Sequence, residues 1–227
     1  MKTISKNSRR NFLGKLALTA GATAGISAIP NNLLADNPLV DTRLYKDADQ
    51  WFKKVKGSHR VVYDAPEPHN SFPFIWSWAF MLSNNQTGTK DSDMTSVVVM
   101  RHNAIPFAFK DSLWEKYPLG DTFKITDLTT GKSAKRNPLW EPKTGDYPLP
   151  GVDGIKKQQE RGAMFCVCEL AISVYSGAMA AQMGLKPEDV KKEWMDALQP
   201  GVQPVPSGVW ALGRAQEHDC AYIYAGG

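Results

Sequence analysis

Cysteine is scarce in this 227-residue chain: there are three, Cys166, Cys168 and Cys220. Three thiols cannot close a disulfide framework, and in an exported chain an odd count leaves at least one free or paired between chains. Histidine is almost as rare, and no multi-cysteine or histidine-rich zinc spacing occurs, which excludes a structural zinc site of the usual kind. There is no phosphate-binding glycine loop, no haem-attachment motif and no serine-nucleophile elbow, so the common nucleotide, haem and hydrolase chemistries lack their residues. No nucleic-acid-binding motif is present either. No apolar run is long enough to span a bilayer comfortably, and no acidic residue precedes Asp36.

That missing acidity at the front has a reading of its own. Ser8-Arg9-Arg10-Asn11-Phe12-Leu13-Gly14-Lys15 is followed by a weakly apolar run of small residues from Leu16 to Ile29. Arg9 and Arg10 ahead of such a run identify a twin-arginine export signal, read by the twin-arginine translocase as an address to the periplasm. The run is too short, and too rich in Gly, Ala, Thr and Ser, for stable membrane insertion. Cleavage is expected after Ala35. The chain then divides into a signal peptide (1–35), an N-terminal extension (36–57) and an α/β domain (58–227). Removing Lys2, Lys6, Arg9, Arg10 and Lys15 takes the formal net charge from +4 to about −1. The basic balance therefore belongs to the signal, and argues for neither nucleic acid nor a membrane surface.

Beyond the signal, strand-like and helix-like stretches alternate. A helical patch around Asp49–Val55 is expected to cap the domain, and His59–Asp64 reads as the first strand. After a turn at Pro66 and Pro68, Phe72–Leu82 reads as one aromatic helix. Phe72, Trp76 and Phe80 recur every four residues while Trp78 and Leu82 fall on another face. Such a helix needs cover on two sides, from a thick core or a second subunit. Thr95–Met100 is a largely β-branched run, the signature of a central parallel strand. Asp111–Tyr117 is expected as a short helix and Thr122–Asp127 as a brief strand. Leu128–Gly154 is punctuated by proline and glycine and carries Lys132, Lys135 and Arg136. A loop of that length serves as a lid or a subunit contact.

The last third is the most regular. A polar helix from Ile155 stops at Gly162, a buried strand runs to Cys168, and a helix follows over Ala171–Leu185. Pro187 opens a further helix, Val202–Pro206 is an edge-type strand, Ser207 caps the helix to His218, and Cys220–Tyr224 closes the chain. Strand and helix alternate without internal repeats, so the class is α/β.

Chemistry is expected where strands end, because open α/β sheets place ligands outside the carboxyl ends of their strands. Cys168 is the candidate nucleophile. Arg101, His102 and Asn103, which follow the Thr95–Met100 strand, are candidate substrate-binding residues together with Glu169. Arg101 or His102 supplies the positive charge a reactive thiolate needs, provided the two strands are neighbours. Glu169, a carboxylate beside the thiol, opposes the thiolate. The competing reading pairs Arg101 with a carboxylate, leaves His102 and Asn103 to close a turn, and buries Cys168 as a structural thiol. Cys166 and Cys168 lie two apart on one strand and are expected to face the same way. With Met179 and Met183 they form a soft set of the kind Cu(I) takes, although methionines at helical spacing are usually core filling. No metal and no cofactor are expected.

Four segments carry a likeness. They are Phe165-Cys-Val-Cys168, Met183-Gly-Leu-Lys-Pro-Glu-Asp189, Gln199-Pro-Gly-Val-Gln-Pro-Val-Pro-Ser-Gly-Val209 and Ala221-Tyr-Ile-Tyr224. Together they resemble the DsrE/DsrF-like family. The resemblance covers residues 155–225, extends more loosely to Val97–Met100 and the first strand, and leaves out the aromatic helix and the long loop. It implies a small three-layer α/β/α sandwich with a mainly parallel sheet of about five strands. It also implies a homo-oligomer, trimer or hexamer, and sulfur relay through a persulfide on the strand-end cysteine, which aligns with Cys168. A sulfur-donor protein or small molecule is then a partner. Two departures stand out: Glu169 replaces the family's glycine, and the helix over Ala171–Gln182 is longer. The rival reading is a non-catalytic ligand-binding or interaction protein that uses the same crevice and the aromatic surface.

Overall fold

The computed structural model describes residues 42–227. The export signal read at Arg9 and Arg10, and the cut expected after Ala35, lie outside the described residues. In chain order the first elements are α1 (Thr42–Phe52), β1 (His59–Ala65), α2 (Phe72–Gln86) and β2 (Met94–Met100). Next come the small pieces α3 (Asp111–Lys116), α4 (Leu119–Thr122), β3 (Thr126–Asp127) and β4 (Lys132–Ser133). The final group is α5 (Ile155–Glu160), β5 (Met164–Cys168), α6 (Glu169–Met183), α7 (Pro187–Asp196), β6 (Gln203–Val205), α8 (Gly208–Glu217) and β7 (Ala221–Tyr224).

Five strands pair in the order β6-β5-β2-β1-β7, all parallel. Every residue of β2 is buried, as expected of a central strand covered on both faces. Alternation then sorts the side chains into two layers. Val61, Tyr63, Val98, Met100, Phe165 and Val167 point to one side, where Phe74 and Ile75 of α2, Ile172 and Met179 of α6 and Trp194 of α7 cover them. Val62, Val97, Val99, Cys166 and Val205 point to the other, under Trp51 and Phe52 of α1 and Ala211 and Ala215 of α8. The result is a three-layer α/β/α sandwich, as the sequence led us to expect.

Where sequence and structure differ, packing explains it. The first helix spans Thr42–Phe52 rather than Asp49–Val55, because Ala48, Trp51 and Phe52 form its buried face. In α2 the fully covered positions are Pro73, Phe74, Ile75, Ser77 and Met81. Phe72, Trp76 and Phe80, the stripe that repeats every four residues, stay half-buried. Ser77 lies in the covered face because its hydroxyl meets that of Ser96 on β2 at 2.9 Å, which satisfies both polar groups.

The 128–154 stretch is tied down from within. Arg136 donates to both carboxylate oxygens of Asp146, at 3.0 and 2.5 Å, and the Asp146 side chain is wholly buried. The buried Asn137 donates to the carbonyls of Phe107 and Phe109. β3 and β4 form a small hairpin at its start. There Asp127 accepts from the hydroxyl and the backbone N–H of Thr129. The Thr129 hydroxyl first, then that N–H and the charge of Arg136, hold the Asp127 carboxyl below its ordinary 3.8. A lowered folded value means that its stabilisation is complete above the unfolded value and is lost as pH falls through the folded one. Asp127→Asn is therefore expected to lower stability at neutral pH and to flatten the acid limb below about pH 4. Urea unfolding across the acid range checks this, and a parallel shift with an unchanged acid limb overturns it.

Candidate functional site

β5 and β2 are neighbours, with Met100 opposite Val167, so Arg101 and Cys168 leave adjacent strand ends as the sequence reading required. The two end differently. The Cys168 thiol turns into the α6 layer and caps that helix, its Sγ accepting the Ala171 N–H at 3.3 Å. Cys168 is 6% exposed.

Cys166 and Cys168 do not share a face as expected. Cys166 packs between Val97, Val99 and α8, whereas Cys168 belongs to the opposite cluster with Ala171 and Ile172. Cys168 is the last strand residue, still paired with Val205, and its thiol is drawn to the start of α6 by the Ala171 N–H. The soft-metal set therefore does not assemble: its cysteines are on opposite faces, Met179 is buried and Met183 is exposed. Burial pushes the Cys166 thiol far up and Cys220 up to about 11. Both are held neutral, which leaves Cys168 as the thiol with a donor aimed at its sulfur.

Arg101 closes an internal pair. Its Nε and Nη2 donate to Asp64 Oδ1 and Oδ2 at 2.7 and 3.0 Å, and the Tyr222 hydroxyl donates to the same carboxylate at 2.8 Å. The lock joins the ends of β2, β1 and β7. Its stem lies on Gly208, where an added Cβ would meet Arg101 Cβ at 2.6 Å; glycine there is what lets the arginine lie flat. The guanidinium charge is thus matched by Asp64, not offered to the thiol. Glu169 is likewise engaged, by Lys191 of α7 and the Ser173 hydroxyl.

His102 and Asn103 meet two residues the sequence reading did not single out. Asn103 Nδ2 donates to both oxygens of Glu67, at 3.0 and 2.9 Å. Its Oδ1 accepts the Tyr175 hydroxyl at 2.7 Å, which fixes the amide orientation. His102 Nδ1 stands 3.4 Å from that hydroxyl, and its Nε2 is 4.0 Å from Glu67 Oε1. Phe123 packs on Tyr175 with ring centroids 4.8 Å apart. Burial, then the charge of Glu67, raises the Tyr175 phenol, so it stays a donor. The backbone is unusual as well: His69, Asn70, Ser71 and His102 all have positive φ, a concentration of strain typical of functional corners. The signals for Glu67 and Tyr175 were present but faint: an acid inside the Pro66/Pro68 turn, and a tyrosine seven residues after Cys168 on the same helix face.

Among the described residues no group of three or more His, Cys, Asp and Glu is arranged to hold a metal ion, and no helix is long and apolar enough to cross a membrane. No family profile matches the chain, and no curated protein matches it. Among solved structures, the chain is weakly similar to MTH1491, a protein of unknown function from Methanobacterium thermoautotrophicum. That similarity has 17% identity, covers 74% of this chain and 100% of that one, and has a TM-score of 0.38.

Proposed function

We propose that this chain is a DsrE-like sulfur-binding protein in which Cys168 accepts and passes on a sulfane sulfur atom. The observation that carries the reading is the thiol's place at the N-cap of α6, with the Ala171 N–H donating to Sγ. A sulfur anion there gains from the unpaired amides and the dipole of a 15-residue helix. The transfer balances without an outside oxidant. The Cys168 thiolate attacks the outer sulfur of a donor persulfide, the new Sγ–S bond forms, the donor's S–S bond breaks, and the donor leaves as its thiolate. The proton of Cys168 goes to solvent before the attack.

Export to the periplasm through the twin-arginine translocase rests on Arg9 and Arg10 and the run behind them. A homo-oligomer belongs to the same reading. It is supported by β7, an edge strand with Tyr222, Ile223 and Tyr224 exposed, beside a shallow groove lined by Tyr63, Trp76, Phe80 and Ile223. Exposed apolar side chains gathered on one uncharged edge mark a surface for association.

Intact mass of the mature protein, purified without reductant and measured before and after reduction, tests the sulfur reading. The expected result is a reducible increment of one or more sulfur atoms mapping to Cys168, with Cys168 alkylating ahead of Cys166 and Cys220 in the native state. An unmodified mass, with Cys168 inert until unfolding, overturns it.

A further inference from the structure

We propose that the hydrogen-bonded cluster of Glu67, His102, Asn103 and Tyr175 binds a small molecule bearing a protonated primary amine. It does not depend on sulfur chemistry at Cys168.

The first argument is charge. Among the described residues no lysine or arginine pairs with Glu67, and its one ionisable neighbour within 4.0 Å is His102. The other buried or half-buried carboxylates at the sheet's carboxyl end are already matched, Asp64 by Arg101 and Glu169 by Lys191. Glu67 is 39% exposed, enough to be reached. Asn103 holds both its oxygens, and Tyr175 holds Asn103, so the carboxylate is oriented before any ligand arrives. Preorganisation of this kind removes an ordering cost from binding.

The second argument follows the protons. The single Tyr175 hydroxyl proton goes to Asn103 Oδ1. For His102 Nδ1 to bond the phenol oxygen it must carry a proton, and in the neutral tautomer that does so Nε2 is left as an acceptor. That lone pair faces Glu67 Oε1 across 4.0 Å. In that tautomer two acceptors face one another, Oε1 also holding the Asn103 N–H at 3.0 Å. A group with two or three N–H donors and a positive charge satisfies both at once. The half-buried Tyr175 ring, 6.0 Å from that of His102, favours a cation, or an apolar body attached to one. The place agrees too, since Glu67 and His102 follow β1 and β2, adjacent central strands of a parallel sheet.

Benzylamine and its neutral counterpart benzyl alcohol are suitable probes, titrated into the full-length mature protein by calorimetry and by the histidine ring signals in NMR. Benzylamine is expected to bind saturably and at least about tenfold tighter than benzyl alcohol, with the His102 signals moving. Glu67→Gln, a half-exposed isostere that keeps the fold, is expected to cost about tenfold or more in benzylamine affinity. Cys168→Ser is expected to bind as wild type. Equal affinity for the two probes, undiminished binding by Glu67→Gln, or no saturable signal at about 10 mM benzylamine overturns the inference.

Discussion

Replacing Arg136 by methionine is expected to lower stability by about 3–5 kcal/mol, the usual cost of stranding one partner of a buried ion pair. The Asp146 side chain is completely buried, and apart from Arg136 its partner is the Lys143 N–H at 2.6 Å. Without the guanidinium, a carboxylate remains where water cannot reach it. For a domain of this size that corresponds to a fall in Tm of roughly 10 °C or more. The double variant Arg136→Met/Asp146→Leu should recover much of the loss, because exchanging both members of a buried pair for apolar groups is often close to neutral. Chemical unfolding of the three proteins decides the matter. Unchanged midpoints in Arg136→Met would mean that the 128–154 loop is not held by this pair.

Arg101→Met is the second large effect, and it separates structure from chemistry at the site. Asp64 is 2% exposed and would keep only the Tyr222 hydroxyl. We expect a loss of about 3 kcal/mol, toward the lower end of the buried-pair range because Arg101 itself is partly exposed. On the proposed sulfur reading, the load on Cys168 per folded molecule is expected to be unchanged, since the guanidinium is spent on Asp64. Mass spectrometry of the folded fraction and denaturant melts read the two separately. A stable Arg101→Met protein that has lost its sulfur would return Arg101 to the site as a charge that serves the thiol.

The layers and strand order rest on signals that a sequence carries locally. Thr95–Met100 reads as a central strand from its branched side chains, and Ser207 reads as a cap and is one, accepting the Trp210 N–H at 3.2 Å. The site was half legible. Position along the chain brought Arg101, His102, Asn103 and Cys168 to adjacent strand ends. Their partners were not predictable, because each partnership joins residues far apart in the chain: Asn103 with Tyr175 of α6, Arg101 with Asp64 on β1. The helical period of α2 also misled. Neither stripe it marks, Phe72/Trp76/Phe80 or Trp78/Leu82, is the fully covered face; that face depends on where β1 and β2 lie beneath the helix, and no spacing within the helix records that.

The strand order has a consequence for synthesis. β1 sits between β2, made soon afterward, and β7, whose Tyr222 is 158 residues from Asp64. As the chain emerges from the ribosome, β1, β2 and β5 can assemble while one flank of β1 still has open amides and carbonyls. Asp64 then has Arg101 but not its tyrosine. A nascent chain stalled before Ala221 would present the unpaired flank of β1, so synthesis of β7, rather than collapse of the core, sets when β1 gains its second neighbour and Asp64 its tyrosine.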